Sequence, residues 1–315
     1  MQKLLNTIIC GDCIEVLGRI SEPFADLIFA DPPFNIGYKY DKYYDKVKKK
    51  NYIDWTKDWM TICKKVLKPH GSFYIAIGDE YAANVKIIAD ELGLFMRNWI
   101  IWHYTFGQQT KNKFARVHTH IFYFVNDKNN FTFNDHAVRT PSDRQLIYND
   151  RRANPVGKIP DDVWDEYSRV CGTFKQRCGW HPCQMPENLL KRIIAASSNP
   201  ADCVLDPFCG SGTTAVVAYQ LGRNYVGVEI SEKYVKNADN RLNQLKNKQS
   251  ENLFFDTNEL NEIKRLLSDI KIPIKEITAD KKTLELFANQ FAVRMNNHKK
   301  YSSEKLVAAL EDLAD

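Results

Sequence analysis

The segment that decides the fold is "CVLDPFCGSGTTAVVAYQLGRNYVGVEI", residues 203–230. Its pattern predicts an apolar strand, a turn with two glycines, a helix and a second apolar strand. A strand–helix–strand unit of this kind joins parallel strands of one sheet. Both strands are continuous apolar runs, which is typical of strands that are covered on two faces. The segment therefore predicts an α/β protein with a doubly wound, mostly parallel sheet.

The same alternation of strand-like and helical patterns extends to both sides of this segment. Further strands are predicted at 7–10, 27–30, 72–78, 98–104 and 119–125. Further helices are predicted over about 52–67, 81–92, 186–197 and 232–245. The pattern is lost in the polar stretch 126–179, and 249–315 shows only short amphipathic helical patterns. We expect one domain over residues 1–248 and a small helical C-terminal extension over 249–315.

The 315-residue chain has the composition of an ordinary globular protein, with 44% hydrophobic and 26% charged residues. No apolar run reaches the roughly 18 residues of a membrane-spanning helix, and the N-terminus lacks the pattern of a signal peptide. Eight cysteines in a chain of this length do not form a disulfide scaffold. We expect a reduced, cytoplasmic protein without membrane contact.

Positive charge is concentrated in two regions, although the net charge is only +5. Residues 36–68 contain ten Lys and Arg against four Asp and Glu, and residues 97–152 contain nine against four. The first region also carries five tyrosines. Clustered cations with aromatic residues favour a polyanionic partner such as nucleic acid, and a solvated basic face is the alternative.

The turn "CGSGTT", residues 209–214, is the first candidate binding element. Gly210 and Gly212 allow a tight turn and a close backbone approach to a ligand, and Thr213 begins a helix whose N–H groups point outward. Glu229 ends the next strand, where a carboxylate can accept both hydroxyls of a ribose. No Lys follows the glycines, so the turn is not a P-loop. It predicts a nucleoside-bearing cofactor, with NAD and a ligand-free turn left open.

A second strand ends in an unusual way, at Asp31-Pro32-Pro33-Phe34. The prolines carry no N–H, so this turn presents carboxylate and carbonyl acceptors but few donors. Phe34 adds a flat apolar surface. The combination fits an amino group on a flat base, because the acid and a carbonyl can accept its two hydrogens while the ring stacks. We predict that these four residues hold and activate an exocyclic amino group.

Four motifs together resemble the β group of amino DNA methyltransferases, in which the motif order is circularly permuted. "DPPF" (31–34) resembles the catalytic motif, and "DPFCGSGTT" (206–214) resembles the S-adenosylmethionine loop. "GDCIEVL" (11–17) is similar to the segment whose acid approaches the cofactor adenine. "WHPCQMPENLLKRII" (180–194) is similar to the segment that lines the methionine pocket. The resemblance covers roughly residues 6–246 and implies a Rossmann-like methyltransferase fold with permuted motif order.

The resemblance implies an enzyme that transfers a methyl group from S-adenosylmethionine to a base amino group in double-stranded DNA. Asp at the first catalytic position favours adenine N6, with cytosine N4 as the alternative. The expected cofactor-binding residues are Asp12, His181, Pro182, Asp206, Phe208, Gly210, Ser211, Gly212, Thr213 and Glu229. Cys183 and Met185 stand where the family commonly has Thr and Lys, so the contacts of those two side chains are not carried over.

Residues 126–179 are the predicted target recognition region. The residues predicted to bind DNA are all cationic: Lys39, Lys42, Lys48, Lys49, Lys50, Arg139, Arg144, Arg151 and Arg152. Asn134, Gln145 and Asn149 are of the types that pair with base edges. A base inside a duplex cannot reach Asp31, so base flipping is implied. A homodimer and a companion restriction endonuclease are further partners that the resemblance leaves open.

Other interpretations explain fewer of these residues. A Rossmann oxidoreductase would account for the glycine turn and Glu229 but not for the turn at 31–34. A non-catalytic nucleic-acid-binding protein with a relic cofactor fold would have no use for Asp31. Cysteines and a histidine lie close together in "CGTFKQRCGWHPC" (171–183), but the gap between Cys171 and Cys178 is longer than zinc sites usually have. We predict no metal site.

Overall fold

The computed structural model describes residues 4–108, 110–148, 150–172, 174, 176–251, 255, 257–295 and 301–313. The chain divides into two compact units, Met1–Leu242 and Asn243–Asp315. The candidate site described below lies entirely within the first unit.

Strands and helices alternate along the first unit. The strands are β1 (Thr7–Cys10), β2 (Ala25–Ala30), β3 (Tyr38–Lys39), β4 (Tyr44–Asp45), β5 (Leu67–Ile77), β6 (Phe95–Gln108), β7 (Arg116–Val125), β8 (Val163–Trp164), β9 (Cys203–Asp206) and β10 (Asn224–Glu229). The helices that begin in this unit are α1 (Cys13–Gly18), α2 (Lys49–Val66), α3 (Asp79–Glu91), α4 (Asp135–Val138), α5 (Asp143–Leu146), α6 (Glu187–Ser197), α7 (Thr213–Gln220) and α8 (Glu232–Glu251).

Eight of the described strands form one sheet in the order β1-β10-β9-β2-β5-β7-β6-β8, and β3 and β4 form a separate antiparallel hairpin. Neighbouring strands are parallel from β1 to β5 and again between β6 and β8. Strand β7 runs in the opposite direction and pairs antiparallel with β5 and β6. The predicted α/β fold with a mostly parallel sheet is confirmed. The carboxyl ends of β1, β10, β9 and β2 lie side by side at one edge.

The centre of the sheet is apolar because the strand sequences are continuous hydrophobic runs. All six residues of β2 are buried. Helix α2 packs one face into the same core, with Trp59, Met60 and Cys63 fully buried. Each large apolar side chain that is removed from water in this way contributes about 1.5–3 kcal/mol. This packing fixes the strand ends, and with them the turns that carry the candidate site.

Two parts of the sheet differ from the predicted boundaries. Helix α2 ends at Val66, and Leu67 already pairs with Ala25 in β2. The register shifts between this pair and the pair Leu27–Ser72, so Pro69, which has no N–H for the ladder, lies in an irregular part of β5. The strands predicted at 98–104 and 119–125 are longer, as β6 and β7, and pair with each other as a hairpin.

The polar stretch 126–179 contains short elements, namely α4, α5 and β8, in the part of it that the structure describes. A single antiparallel bridge joins Thr140 and Lys158. The stretch therefore remains mostly irregular, as its sequence pattern predicts.

The second unit contains helices α9 (Thr257–Ile270), α10 (Ile274–Ala279), α11 (Lys281–Arg294) and α12 (Ser303–Asp312). They bury a separate hydrophobic core that includes Ile263, Leu266, Phe287, Phe291 and Leu310. The boundary expected between residues 248 and 249 lies inside helix α8. We keep residues 249–315 as the proposed helical C-terminal extension.

Candidate active site

Four acidic residues follow or end the four strands whose carboxyl ends lie side by side. Asp12 follows β1, Glu229 ends β10, Asp206 ends β9 and Asp31 follows β2. All four line one cavity of about 420 Å³. The parallel topology thus brings together acids that are up to 217 positions apart in the chain, the separation between 12 and 229. This edge of the sheet is where ligands bind in doubly wound folds.

The Asp31 carboxylate lines this cavity and makes no side-chain hydrogen bond to any described residue. The pKa of Asp31 is raised to about 7: burial is the largest cause, the nearby Asp206 adds to it, and the Arg169 guanidinium opposes both effects. A carboxylate without a protein partner is expensive to bury. Its oxygens are available to a ligand that can donate hydrogen bonds.

The prolines after Asp31 leave one carbonyl open. The Tyr52 hydroxyl donates a hydrogen bond of 2.5 Å to the carbonyl oxygen of Pro33. No described residue donates to the carbonyl oxygen of Pro32. Phe34 lines the same cavity and packs against Gly78, where an added Cβ would lie 3.3 Å from the ring. The acceptor pair at this turn is therefore Asp31 and the Pro32 carbonyl, beside the aromatic ring of Phe34.

The glycine turn between β9 and α7 needs glycine for its shape. Gly210 has φ +47°, and a Cβ there would lie 2.8 Å from His181 Nε2. Gly212 has φ +73°, and a Cβ there would lie 2.8 Å from the Cβ of Ala238. Other residues rarely adopt this left-handed backbone region. The glycines let the turn pass closely under its neighbours, which leaves a cradle at the N-terminus of α7.

Glu229 is held by two backbone groups and still faces the cavity. Gly210 N–H donates to Oε2 and Ser231 N–H donates to Oε1, each over 2.9 Å. Burial raises the pKa of Glu229, and these backbone N–H groups oppose the shift. Each carboxylate oxygen has a second lone pair, so the fixed carboxylate can accept one further hydrogen bond on each side. Two neighbouring hydroxyls of a ribose match that requirement.

Asp206 and Asp12 order their own turns. Asp206 accepts hydrogen bonds from Phe208 N–H (3.0 Å) and from the Thr214 hydroxyl (2.5 Å). Burial raises the pKa of Asp206 to about 7, and these two donors oppose the shift. Asp12 caps helix α1, where its Oδ1 accepts from Ile14 N–H over 2.8 Å. Both acids line the cavity, so each also borders the proposed cofactor space.

The predicted cofactor residues do not all reach the cavity. Its wall includes His181, Pro182, Phe208, Gly210 and Thr213. The three predicted cofactor-binding acids, Asp12, Asp206 and Glu229, line it as well. Ser211 and Gly212 are buried and are not part of its wall. The Ser211 hydroxyl instead lies 2.9 Å from the Thr213 hydroxyl. These two residues shape the turn from behind.

His181 is neutral and forms an aromatic part of the cavity wall. Burial lowers its pKa to about 4. Its ring centroid lies 4.8 Å from that of Tyr234 and 6.2 Å from that of Tyr40. A neutral imidazole between aromatic rings provides an apolar surface to a ligand. Cys183 and Met185, which replace the residues common in the family, also line the cavity.

The hairpin β3–β4 forms part of the site in a way that sequence reasoning did not anticipate. Tyr38, Tyr40, Lys42 and Tyr43 line the cavity. The hairpin is held there by Asp41, which accepts a hydrogen bond of 2.6 Å from the Ser231 hydroxyl. The Tyr40 hydroxyl also donates to Cys183 Sγ over 3.7 Å. The sequence shows this hairpin as a basic, tyrosine-rich stretch. The residues that Tyr40 and Asp41 contact lie more than 140 positions away in the chain.

The wall around Asp31 includes other residues that the motifs did not indicate. Trp102, Tyr104 and Thr119 come from β6 and β7, and Arg169 comes from the predicted recognition region. The Arg169 guanidinium carbon lies 5.1 Å from the centroid of the Tyr104 ring. A cation over an aromatic face is a favourable contact. Only the folded sheet brings this residue close to Asp31.

The residues predicted to bind DNA lie in different settings. Lys42 lines the cavity, and Lys39 is on the adjacent strand β3. Lys48 is the N-cap residue of α2, and Lys49 and Lys50 are in its first turn. The Nζ atom of Lys49 lies 3.6 Å from Oε1 of Glu80. All of these lysines except Lys49 have no acidic partner within salt-bridge distance among the described residues.

The arginines of the recognition region are mostly paired within the protein. Arg139 binds Asp135, whereas Arg144 and Arg152 both bind Asp150. These guanidinium groups hold the pKa of Asp150 well below its usual range. Arg151 has no acidic partner among the described residues.

Two of the predicted base-reading amides have structural contacts instead. The Asn134 side chain donates to the carbonyl oxygens of Ala195 and Ser198 over 3.1 and 2.9 Å. Gln145 closes a capping box with Ser142 at the start of α5. Both side chains are therefore engaged within the fold, and their role in reading bases stays a prediction. Asn149 lies outside the described residues.

In the described part of the chain, no helix is both long enough and apolar enough to cross a membrane. No group of three or more His, Cys, Asp or Glu side chains there could hold a metal ion.

Comparison with known proteins identifies the family. A family model described as DNA methylase matches residues 25–240, and a general methyltransferase-domain model matches residues 198–301. The DNA adenine methyltransferase YhdJ of Escherichia coli K12 is 40% identical over 247 residues, which cover 75% of this chain and 82% of that protein. The type II methyltransferase M.HpaI of Haemophilus parainfluenzae is 38% identical over 236 residues, covering 75% of this chain and 73% of that protein.

Solved structures share the fold at lower sequence identity. The cytosine-N4-specific PvuII DNA methyltransferase superposes with a TM-score of 0.58 at 22% identity, over 74% of this chain and 85% of that one. The M1.HpyAVI–SAM complex superposes with a TM-score of 0.53 at 23% identity, over 75% of this chain and 98% of that one. The sequence match to the family model spans the turn at Asp31, the glycine turn and Glu229. The chain therefore belongs to the DNA methylase family and is an S-adenosylmethionine-dependent DNA methyltransferase.

Proposed function

We propose that this enzyme methylates the exocyclic N6 of adenine at specific sites in double-stranded DNA. One observation carries the proposal: the Asp31 carboxylate has no hydrogen-bond partner among the described residues, yet it lines the same cavity as Glu229 and the glycine turn. The similarity to a DNA adenine methyltransferase supports adenine as the base. An amino group that enters this cavity meets two acceptors, Asp31 and the Pro32 carbonyl, beside the Phe34 ring.

In the proposed reaction, bound S-adenosylmethionine would supply an electrophilic methyl group, whose bond to sulfur breaks so that S-adenosylhomocysteine is the leaving group. Asp31 and the Pro32 carbonyl accept the two hydrogens of the amino group and favour a lone pair localised on nitrogen. The same acceptors stabilise the positive charge that develops there on attack. Phe34 stacks on the base and sets its plane. The proton that leaves the nitrogen is accepted by Asp31.

The proposed cofactor contacts follow from the groups that the turns leave open. Glu229 accepts from the two ribose hydroxyls, because its backbone donors occupy only one lone pair of each oxygen. Asp12 borders the space for the adenine, where its second oxygen can accept from the amino group of that base. Gly210, Thr213 and His181 line the same cavity and would border the methionine portion.

The proposal extends to partners and location. A duplex hides its base amino groups, so the target base must leave the stack to reach Asp31. We place the enzyme in the cytoplasm, where both S-adenosylmethionine and chromosomal DNA are found. Similarity to type II methyltransferases supports a companion restriction endonuclease that recognises the same site. A homodimer remains part of the proposal, to be tested by sedimentation of the purified protein with and without DNA.

Methylation-aware sequencing of DNA from cells that express the protein tests the proposal directly. We expect N6-methyladenine at one short sequence, and none in cells that express the Asp31→Ala variant at the same level. Modification at cytosine N4 would replace adenine by cytosine as the target. Tritium transfer from labelled cofactor to purified DNA provides the in vitro counterpart, and no transfer to any DNA would overturn the proposal.

A further inference from the structure

The tip of the β6–β7 hairpin takes no part in the proposed chemistry. Residues 108–116, "QQTKNKFAR", contain Lys111, Lys113 and Arg116 and no acidic residue. The side chain of Phe114 is 99% exposed, more than any other large hydrophobic residue in the described part of the chain. Single exposed hydrophobic residues are ordinary on protein surfaces, so the significance of this one depends on where it lies.

The hairpin lies at the rim of the cavity that contains Asp31. Gly107, Thr110, Lys113 and Arg116 all line that cavity. Lys113 is also exposed to solvent, and Phe114 is the next residue in the chain. Phe114 itself does not line the cavity, so it is not a stacking partner for a base bound beside Phe34. It projects into solvent next to the entrance.

The base of the hairpin is tightly built. A Cβ on Gly107 would lie 1.8 Å from the carbonyl oxygen of Arg116, so only glycine permits the two arms to approach so closely. The Thr110 hydroxyl donates to the carbonyl oxygen of Lys113 over 2.7 Å. Arg116 forms an ion pair of 2.9 Å with Asp79 at the start of α3. Phe114 is therefore presented by a braced turn at a fixed place beside the cavity.

We propose that Phe114 is a wedge that enters the base stack of duplex DNA at the position the target base vacates. The inference rests on the proposed function, because it needs a duplex substrate and a flipped base. Removing a base from the stack leaves a gap, and apolar side chains that insert between bases offset the cost of unstacking. Lys111 and Lys113, which both precede Phe114 in the hairpin, provide cations for the flanking phosphates. An exposed aromatic ring beside two lysines suits that environment.

The test compares two synthetic duplexes that carry the sequence found by methylation-aware sequencing. One duplex is fully paired, and in the other an abasic site lies opposite the target base, which makes flipping easier. For Phe114→Ala we expect kcat/KM on the paired duplex to fall about 10- to 100-fold. On the abasic duplex we expect the same variant to come within about threefold of the parent enzyme, because the wedge is no longer needed.

Two further variants serve as controls. Phe114→Trp keeps a flat apolar ring and should retain activity on the paired duplex. Ile87→Ala removes another exposed apolar side chain, 55% exposed on α3 and outside the cavity lining, and should leave both substrates unaffected. With 2-aminopurine at the target position, binding of the parent should raise the fluorescence of the flipped base, and binding of Phe114→Ala should not.

Each possible result either supports or overturns the role of Phe114 as a wedge. An equal loss on both duplexes, or no loss on either, would overturn the wedge while leaving the proposed function intact. Normal flipping by Phe114→Ala together with a loss in Lys111→Gln would make the hairpin an electrostatic contact only. If the parent methylates neither duplex, the proposed function fails first, and that result is distinct from a failure of the wedge alone.

Discussion

The two halves of the cavity use their acidic residues differently. In the proposed cofactor half, Glu229, Asp206 and Asp12 each accept hydrogen bonds from backbone N–H groups of the turns at these strand ends. In the target half, Asp31 accepts none from any described residue. The first arrangement orders the turns before a ligand arrives, whereas the second keeps a carboxylate free for the substrate. The same residue types at equivalent strand ends therefore serve two purposes, positioning and chemistry.

The electrostatic setting differs in the same way. Burial is the largest cause of the raised pKa of Asp31, Asp206 and Glu229. Hydrogen bonds oppose the shift for Asp206, from the Thr214 hydroxyl and the Phe208 N–H, and for Glu229, from backbone N–H groups. For Asp31 the opposing group is the charge of the Arg169 side chain. A buried carboxylate balanced by a nearby charge alone is more easily changed by a ligand than one held by hydrogen-bond donors.

The largest effect is expected from Asp31→Ala. Loss of the proposed acceptor should lower kcat by about 100- to 1,000-fold, since comparable losses follow removal of one group that stabilises developing charge. Cofactor affinity should change little, because Asp31 is assigned to the base. Single-turnover methyl transfer and calorimetric titration with S-adenosylmethionine measure the two quantities separately. A variant with near-normal turnover would remove Asp31 from the mechanism.

Substitution of Glu229 should have the opposite signature. Glu229→Ala should weaken cofactor binding by about 1.5–3 kcal/mol, the usual cost of losing a hydrogen bond to a charged group. That corresponds to about a 10- to 150-fold rise in Kd. Turnover at saturating cofactor should be close to normal. If instead kcat collapses and Kd stays unchanged, the division of the cavity into two halves is wrong.

Gly212 tests whether the turn itself holds the cofactor space. Gly212→Val adds a side chain where a Cβ would lie 2.8 Å from Ala238, so the turn must shift and cofactor binding should be lost. Gly222→Val is a matched control, because Gly222 has nearly the same φ, +72°, with no atom within 4 Å of an added Cβ. Both variants carry the backbone strain, which thermal unfolding measures. Equal cofactor affinity in the two would show that strain alone, not space, matters at Gly212.

Smaller effects are expected at the proposed DNA surface. Replacing Lys48, Lys49 and Lys50 with Gln should weaken binding to all DNA sequences alike and reduce the salt dependence by about 0.9 per lost phosphate contact. Lys65→Gln, on the same helix α2 but in its last turn, is the matched control. Fluorescence anisotropy with DNA duplexes at two salt concentrations measures both quantities.

Arg151 should affect sequence choice rather than general affinity. It has no acidic partner among the described residues, whereas Arg139, Arg144 and Arg152 are held by Asp135 or Asp150. Loss of a bidentate base contact costs about 1–3 kcal/mol. Arg151→Ala should therefore relax the methylation profile at one position of the site. If the lysine variant changes the profile and Arg151→Ala only lowers affinity, the two roles are reversed.

Sequence predicted the parts of the site that are local in the chain. The turn at 31–34 and the glycine turn each depend on a few consecutive residues, and the apolar runs before them define their strands. The pattern could not show that Asp41 binds Ser231, 190 positions away, or that Arg169 lies near Asp31. It also could not show that β6 and β7 pair with each other. Such contacts depend on strand order and packing, which residue spacing does not encode.

The smallest predicted effect is a shift in pH dependence that separates Asp31 from Asp206. The pKa of each is raised to about 7, so activity should fall as the pH drops through that range and Asp31 takes up a proton. The two acids repel each other, and their protons are therefore bound in two coupled steps. Arg169 lowers the pKa of Asp31 but is not among the groups that shift Asp206. Arg169→Gln should move the acidic limb of the kcat/KM profile to higher pH.

Arg177→Gln is the matched control for that shift. Arg177 is an exposed arginine of the same chain segment, and its guanidinium donates to the carbonyl oxygen of Gly172 instead of facing Asp31. The profile of kcat/KM reports groups in the free enzyme, so the comparison needs no assumption about the bound cofactor. The Thr214 hydroxyl lowers the pKa of Asp206, so a Thr214→Val variant tests that acid. If the acidic limb moves in Thr214→Val but stays in place in Arg169→Gln, the limb reports Asp206 and not Asp31. The cofactor half would then control the pH dependence, and the contrast between fixed and free carboxylates would no longer account for it.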